Sequence, residues 1–107
     1  MRTEIISTQN KKMPYVVTEE IRRRAQQLGV TVKSSANKNK KLDVFQDGKK
    51  IASIGAAGMM DFHLWKKEKG DKYAQERRLL YHNRHPYNLK KVNGKWTADY
   101  LSKFILW

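Results

Sequence analysis

Apolar residues in the first part of the chain recur with the spacing of a short helix. Ile21, Ala25 and Leu28 lie at positions i, i+4 and i+7 and form one stripe. A threonine precedes two glutamates as an N-cap, and Gly29 follows where a C-terminal cap belongs. This pattern predicts a helix over residues 19–28.

Three segments in the second half of the chain also begin with capping residues. Asp61 is expected to cap a helix over "DFHLWKKEK", and Asp71 to cap another over about 72–85. The second of these ends before Pro86, because proline disfavours helical geometry in the preceding residue. A last helix follows Thr97. Its predicted apolar face consists of Tyr100, Leu101, Phe104 and Ile105.

The segment "KLDVFQDGKKIASIG" predicts a β-hairpin over about residues 41–54. Asp47 and Gly48 are suited to the two positive-φ positions of a two-residue turn. That turn would pair Val44 with Ile51. The expected faces are Leu42, Val44 and Ile51 on one side, and Phe45, Ala52 and Ile54 on the other.

Two further stretches complete the organisation. Residues 30–33 read as the start of a strand, and "KSSANKNKK" after it as an exposed, flexible lysine loop. Asn93-Gly94 marks a second tight turn. The fold class predicted is α+β: a single small domain in which the hairpin packs with three to four short helices. Residues 1–12 are expected to be a flexible N-terminal extension of a basic domain spanning 13–107, and the start of translation, Met1 or Met13, stays open.

Charge narrows the choice of partners. Lysine and arginine number 23 against 10 acids, a formal net charge of +13. Nine basic and four acidic residues fall in 18–50, and eight and three in 71–107, so the excess is spread over the folded body. Self-repulsion on this scale disfavours an isolated compact domain, which predicts a polyanionic partner. Nucleic acid and other acidic surfaces, of proteins or membranes, are the two classes left open.

The densest basic cluster lies in "ERRLLYHNRHPYN", residues 76–88. On a helix these residues divide into two adjacent stripes, with Tyr73 and Leu80 on the core side. One interpretation is a surface that grips phosphate, and the other is a set of internal ion pairs beside a solvated face. The two stripes are Arg77, Tyr81 and Arg84, and Arg78, His82 and His85.

Nucleic-acid contacts are also predicted in the first helix and in the lysine loop. The guanidinium group of arginine can donate two parallel hydrogen bonds to the oxygens of one phosphate. Mobile lysines contact phosphate without recognising the base sequence. No DNA-reading helix, zinc finger or RNA-binding sheet motif is visible, so binding should be weakly sequence-specific. The additional candidates are Arg22, Arg23, Lys38, Lys40 and Lys41.

A metal-dependent nuclease is the third interpretation, because His82 and His85 have a spacing that can share a metal. No acid stands beside either histidine to activate water, and Arg78 and Arg84 would repel a cation. His63 is isolated and is expected to be a surface or packing residue. We therefore predict a protein that is not an enzyme, with no catalytic residue, metal, cofactor or small-molecule substrate.

Four stretches resemble a family of small basic proteins encoded by large DNA viruses of algae and amoebae, of the nucleocytoplasmic type. They are "LGVTVK", "NKKLDVFQDGKKIASIG", "KGDKYAQERRLLYHNRH" and the closing "ILW". The resemblance covers residues 13–107, although the end, "TADYLSKFILW", is several residues longer than the family pattern. The resemblance implies a viral setting. It assigns neither an activity nor functional residues to this chain.

The expected function is therefore a non-enzymatic viral protein that binds nucleic acid mainly through phosphate, with DNA favoured over RNA. Packaging in the virion and the oligomeric state stay open. The alternative is a minor capsid or internal virion component that binds acidic protein or membrane surfaces. No apolar run approaches a membrane span, and the N-terminus lacks an apolar signal core. The expected location is the virion or the host cytoplasm or nucleus, without secretion.

Overall fold

The computed structural model describes residues 15–86 and 89–107, so the predicted N-terminal extension and Met13 lie outside the described residues. Helix α1, Glu19–Gln27, forms where predicted. The hydroxyl oxygen of Thr18 accepts a hydrogen bond from the backbone N–H of Ile21 at 3.2 Å. Gly29 has a φ of 77°, which lets the chain leave the helix in a left-handed conformation.

Three antiparallel strands form the sheet in the order β1-β2-β3. Strand β1 is Thr31–Ser34, β2 is Lys40–Gln46 and β3 is Lys49–Ala56. The predicted strand near 30–33 and the predicted hairpin are both confirmed. Asp47 and Gly48 have φ values of 53° and 78°, as the two-residue turn requires.

The register of the hairpin differs from the prediction beyond the turn. A bulge between Val44 and Phe45 shifts the pairing, so that Val44 faces Ala52 instead of Ile51. One extra residue exchanges the two faces of a strand. The expected place of Ile51 on the core face is therefore wrong, and its side chain is 39% exposed. The shared core face consists of Leu42, Val44, Ala52 and Ile54.

The connection between β1 and β2 is shorter than the predicted lysine loop, because both ends of that loop belong to strands. The buried carboxylate of Asp43 accepts hydrogen bonds from the hydroxyl of Ser35 at 2.6 Å and from the backbone N–H of Ala36 at 3.2 Å. The expectation that Lys41 is exposed is wrong. Lys41 lies in β2 with only 4% of its surface accessible.

The later helices are α2, Phe62–Lys69, α3, Asp71–Arg84, and α4, Ala98–Leu106. Asp61 and Thr97 cap α2 and α4 as predicted, by accepting from backbone N–H groups at 2.9 and 3.1 Å. The predicted capping role of Asp71 is wrong, because Gly70 occupies the N-cap position and no side chain caps α3. Asp71 is instead the first residue of the helix, where a negative charge suits the helix dipole.

A second, two-stranded hairpin lies between α3 and α4. Strands β4, Lys91–Val92, and β5, Lys95–Trp96, are joined by the predicted turn. Asn93 and Gly94 have φ values of 52° and 77° in that turn.

Helices α1 and α4 contribute the helical part of the hydrophobic core, which they share with the sheet. The completely or almost completely buried core residues are Ile21, Ala25, Val30, Val32, Leu42, Val44, Ile54, Leu101, Ile105 and Leu106. In the described ranges the chain forms four helices, a three-stranded antiparallel sheet and a two-stranded hairpin, so the α+β prediction is confirmed. No helix within these ranges has the length and apolar character needed to cross a membrane.

Candidate nucleic-acid interface

Helix α3 is oriented differently from the prediction. Leu80, expected on the core side, is 46% exposed, and Leu79 beside it is 62% exposed. Of the six residues in the two predicted stripes, five are half-buried and only Arg84 is exposed. The cluster is therefore partly a packing surface.

Aromatic partners from distant segments explain this orientation. The ring of Tyr81 stacks on Trp107, with centroids 4.5 Å apart and planes 6° apart. Arg78 donates from Nε to the backbone oxygen of Trp107, and its guanidinium lies 3.9 Å from the ring centroid of Phe62. Flat guanidinium and aromatic groups stack well, so this helix packs through residues that helical periodicity assigns to solvent.

A basic cleft of about 440 Å³ lies between α1, α3 and α4. It brings Arg23 of the first helix together with Arg78 and His82 of the third, all three of which were predicted as nucleic-acid contacts. Arg24 and Lys103 also line it and were not among the predicted contacts. The remaining lining residues are Glu20, Gln27, Phe104 and Trp107.

Arg24 is held in place by contacts on both sides of the cleft. Its guanidinium donates to the backbone oxygen of Phe104 and to the carboxylate of Glu20, both at 3.2 Å, and lies 5.4 Å from the centroid of Phe62. Burial lowers the pKa of Arg24, and the nearby Glu20 carboxylate opposes this. The i, i+4 spacing of Glu20 and Arg24 was a signal in the sequence that could have identified the residue.

His82 and Lys103 line the same cleft. Burial lowers the pKa of His82, and the positive charges of Lys103 and Arg24 lower it further. The ammonium group of Lys103 donates to the backbone oxygen of His85 at 2.5 Å. His82 is therefore neutral near pH 7, and the permanent positive charges of the cleft are those of its arginines and Lys103.

A second groove, of about 340 Å³, lies between α1 and β1. Arg22 and Arg23 line it together with Glu19, which offsets one of their charges, and with the strand residues Thr31 and Val32. Because Arg23 lines both depressions, the groove and the basic cleft adjoin each other along α1.

The other predicted contacts do not line the basic cleft. Arg77 lies over the ring of Trp65 at 5.4 Å. Lys38, Lys40 and Arg84 are exposed elsewhere on the surface. Tyr81 and His85 stack on each other with centroids 4.2 Å apart.

Lys41 is not available to the candidate interface, because it forms a buried ion pair with Asp61. Its ammonium nitrogen lies 2.8 Å from the carboxylate of Asp61, which is 1% exposed. The hydroxyl of Tyr15 donates to the same carboxylate oxygen at 2.6 Å. This ion pair is part of the protein interior and cannot reach a phosphate without being broken.

The histidines also have interior contacts. His63 lies with Nε2 at 2.8 Å from the backbone oxygen of Ile105, so it is a packing residue, one of the two roles expected of it. Nδ1 of His85 lies 3.0 Å from the backbone oxygen of Tyr81. No group of three histidine, aspartate or glutamate side chains that could hold a metal occurs in the described part of the chain.

Comparisons of the chain with models of protein families, with curated proteins and with solved structures found no match.

Proposed function

We propose that this protein binds nucleic acid through its phosphate backbone, and that the basic cleft is the place of contact. The observation that carries the proposal is the convergence of four permanently charged residues from three helices on one open cleft. These residues are Arg23, Arg24, Arg78 and Lys103. Their charges come from parts of the chain that are up to 80 residues apart in sequence, and only folding places them together.

The electrostatics of the cleft support an anionic ligand. Glu20 is the acid among its lining residues. Its carboxylate is already engaged by Arg24 at 3.2 Å and by Lys66 at 3.6 Å. The cleft therefore retains a net positive charge, and the low dielectric of its walls strengthens the attraction to a phosphate group.

Two of the arginines are fixed before any ligand arrives. Arg24 and Arg78 are each held by a backbone oxygen and by the ring of Phe62, which they approach at 5.4 and 3.9 Å. A guanidinium group has more N–H donors than these contacts use. The remaining donors are thus held in place, which reduces the entropy lost on binding.

The adjoining groove on α1 favours a long anion over a small one. Arg22 and Arg23 continue the positive surface from the cleft towards β1. A polymer with regularly spaced phosphates would occupy both depressions, whereas a free phosphate would fill only one. Contacts of this kind are weakly sequence-specific, because phosphates are the same in every sequence.

The biological setting in this proposal is viral and rests on the family resemblance of residues 13–107. In that setting the protein would bind the genome, with DNA as the favoured ligand, and would carry out no chemistry. Binding to the virion interior through acidic proteins is the competing role, and it would use the same positive cleft.

The test is fluorescence anisotropy with labelled DNA and RNA at several salt concentrations. Arg23→Ala should weaken binding and flatten the plot of log affinity against log salt by about 0.9 for duplex DNA, the slope for one lost phosphate contact. Arg84→Ala is the matched control, because Arg84 is also an exposed helical arginine but does not line the cleft. It should leave the affinity almost unchanged.

Either of two outcomes would reject nucleic acid as the ligand. One is the absence of salt-dependent binding to any nucleic acid. The other is displacement of bound DNA by polyglutamate at equal charge concentration, which would assign the cleft to acidic proteins. Equal effects of Arg23→Ala and Arg84→Ala would place the contact surface outside the cleft.

A further inference from the structure

Three aromatic rings form a row along α4 and the strand before it. The centroids of Trp96 and Tyr100 are 5.8 Å apart, and those of Tyr100 and Phe104 are 6.1 Å apart. The planes of the first pair differ by 12° and those of the second by 17°, so the three faces are nearly parallel. All three side chains are half-buried, and each therefore keeps part of its surface accessible. We name Trp96, Tyr100 and Phe104 the aromatic row.

Lysines from the second hairpin and the segment before it stand over this row. The ammonium nitrogen of Lys91 lies 4.4 Å from the centroid of Trp96. That of Lys90 lies 6.0 Å from Trp96 and 5.8 Å from Tyr100. Both lysines are exposed. Positive charge thus lies over the aromatic faces, and a base that stacks on Trp96 or Tyr100 must displace these exposed lysine side chains. Flat faces together with nearby ammonium groups suit a ligand with alternating flat and anionic parts.

The aromatic row leads into the basic cleft. Phe104 belongs to the row and also lines the cleft, and Arg24 donates to its backbone oxygen. Aromatic faces and phosphate-binding groups are therefore continuous on one side of the molecule. A ligand that fills the cleft with phosphate would bring its neighbouring groups over the row.

The spacing of the rings favours unpaired bases. Successive nucleotides on one strand of a duplex rise by about 3.4 Å, and their faces are covered by the next base. The rings of the row stack on one another with centroids 5.8 and 6.1 Å apart, so their spacing does not match the bases of a duplex strand. Only a single strand can offer uncovered bases to a protein surface without the cost of opening a duplex.

We propose that the aromatic row stacks the bases of single-stranded nucleic acid whose phosphates lie in the basic cleft. This inference rests on the proposed function and adds to it a preference for single strands over duplexes. Stacking of this kind tolerates any base, because every base has a flat π-face. The protein should therefore bind single strands tightly and with little preference for sequence.

Three ligands test the inference on the unaltered protein; the two single-stranded ones carry the same number of phosphates, and the duplex carries twice as many. They are a labelled single strand, the duplex of the same sequence, and an abasic strand of the same length. The single strand should bind more tightly than the duplex, and about tenfold more tightly than the abasic strand, which keeps the phosphates and lacks the bases. Equal affinity for the abasic and the complete strand would show that the aromatic row does not stack bases. It would leave the proposed phosphate binding intact. Failure to bind all three would instead reject the proposed function.

A matched pair of tyrosine variants locates the effect. Tyr100→Leu keeps an apolar side chain and removes the aromatic face, and Tyr73→Leu does the same to a half-buried tyrosine that pairs with Trp65 on the second and third helices. Tyr100→Leu should weaken single-strand binding about tenfold and leave duplex and abasic binding unchanged. Tyr73→Leu should change none of the three, and Tyr100→Phe should retain wild-type affinity.

Other results would contradict the inference. If Tyr100→Leu weakens single-strand and duplex binding equally, the row does not stack bases. The same conclusion follows if the substitution weakens neither. Melting temperatures of the variants exclude a loss of fold, and the abasic comparison decides the question if Tyr100→Leu does not fold. Arg23→Ala should weaken binding of all three ligands, because it removes a phosphate contact and no aromatic ring.

Discussion

At the scale of the residue, the buried pair of Lys41 and Asp61 shows how position in the fold changes the role of a charge. The ammonium and the carboxylate are 2.8 Å apart, and the two side chains are 4% and 1% exposed. The Asp61 carboxylate also accepts from Tyr15, and burial, followed by this negative charge, raises the pKa of that tyrosine. The sequence places Lys41 in a basic loop, but in the structure its side chain forms an ion pair in the protein interior.

Replacement of Asp61 by Asn should be strongly destabilising. The amide still caps α2 through Leu64, but the Lys41 ammonium loses its counter-charge in the interior. Breaking a buried pair from one side costs roughly 3 kcal/mol. Urea denaturation should show this loss for Asp61→Asn and a smaller one for the double variant Lys41→Met with Asp61→Asn, in which neither member of the pair is charged. Equal stability of both variants would show that the ion pair is not responsible.

His63 should make the stability of the protein depend on pH. Burial lowers its pKa, and the neutral ring contacts the backbone oxygen of Ile105. Between the folded and the unfolded pKa only the unfolded chain takes up this proton, so the free energy of unfolding falls as the pH drops below about 6.5. His82 acts in the same direction, because burial lowers its pKa too. Urea denaturation between pH 7 and 5 should show the fall, and His63→Gln should make it less steep. The same slope in both proteins would contradict this assignment.

At the scale of the element, two glycines with the same backbone conformation have different surroundings. Gly48 in the turn of the β2–β3 hairpin has a φ of 78°, and Gly55 near the end of β3 has a φ of 77°. A Cβ atom on Gly48 would meet no other atom within 4 Å. On Gly55 it would lie 2.8 Å from a methyl carbon of Leu106 and 3.0 Å from the side chain of Lys41.

Alanine at these two positions should therefore separate backbone strain from crowding. Gly48→Ala should cost about 1 kcal/mol, because only the left-handed conformation is penalised. Gly55→Ala should cost roughly 1–3 kcal/mol more, because α4 and the alkyl chain of Lys41 must move away from the sheet. Chemical denaturation of the two variants gives the comparison directly. Equal costs would mean that the contact between β3 and α4 is loosely packed.

At the scale of the whole molecule, the last residues join the core to the basic cleft. Ile105 and Leu106 are 0% and 1% exposed, while Trp107 stacks on Tyr81 and accepts from Arg78. The same short segment thus completes the hydrophobic core and holds α3 in place. Loss of this segment should affect both stability and the shape of the cleft.

A chain that ends at residue 103 should lose its cooperative fold. Complete burial of each large aliphatic side chain contributes about 1.5–3 kcal/mol, which for two residues is a large part of the 5–15 kcal/mol that stabilises an ordinary domain. Circular dichroism during heating should show a broad, early transition. Leu79→Ala is the control, because this leucine is 62% exposed and its removal should leave the melting temperature nearly unchanged. A sharp transition of the shortened chain near the parent temperature would contradict the role of the segment.

The sequence by itself determined the local structure of this protein. The helix starts at Thr18, Asp61 and Thr97, and the turns at Asp47-Gly48 and Asn93-Gly94, depend on interactions between residues a few positions apart. Such interactions can be read without the rest of the chain. The α+β class followed from them, because it requires only the kinds of elements and their order.

Tertiary structure decided the register of the hairpin, the orientation of α3 and the composition of the candidate site. The bulge near Val44 moved Ile51 off the core face, and the contacts of Trp107 turned Arg78 towards the protein. Arg23 and Lys103 share one cleft although 79 intervening residues separate them in the chain. These features depend on pairs of residues from distant segments, and periodicity within a segment contains no information about which distant side chain will cover it.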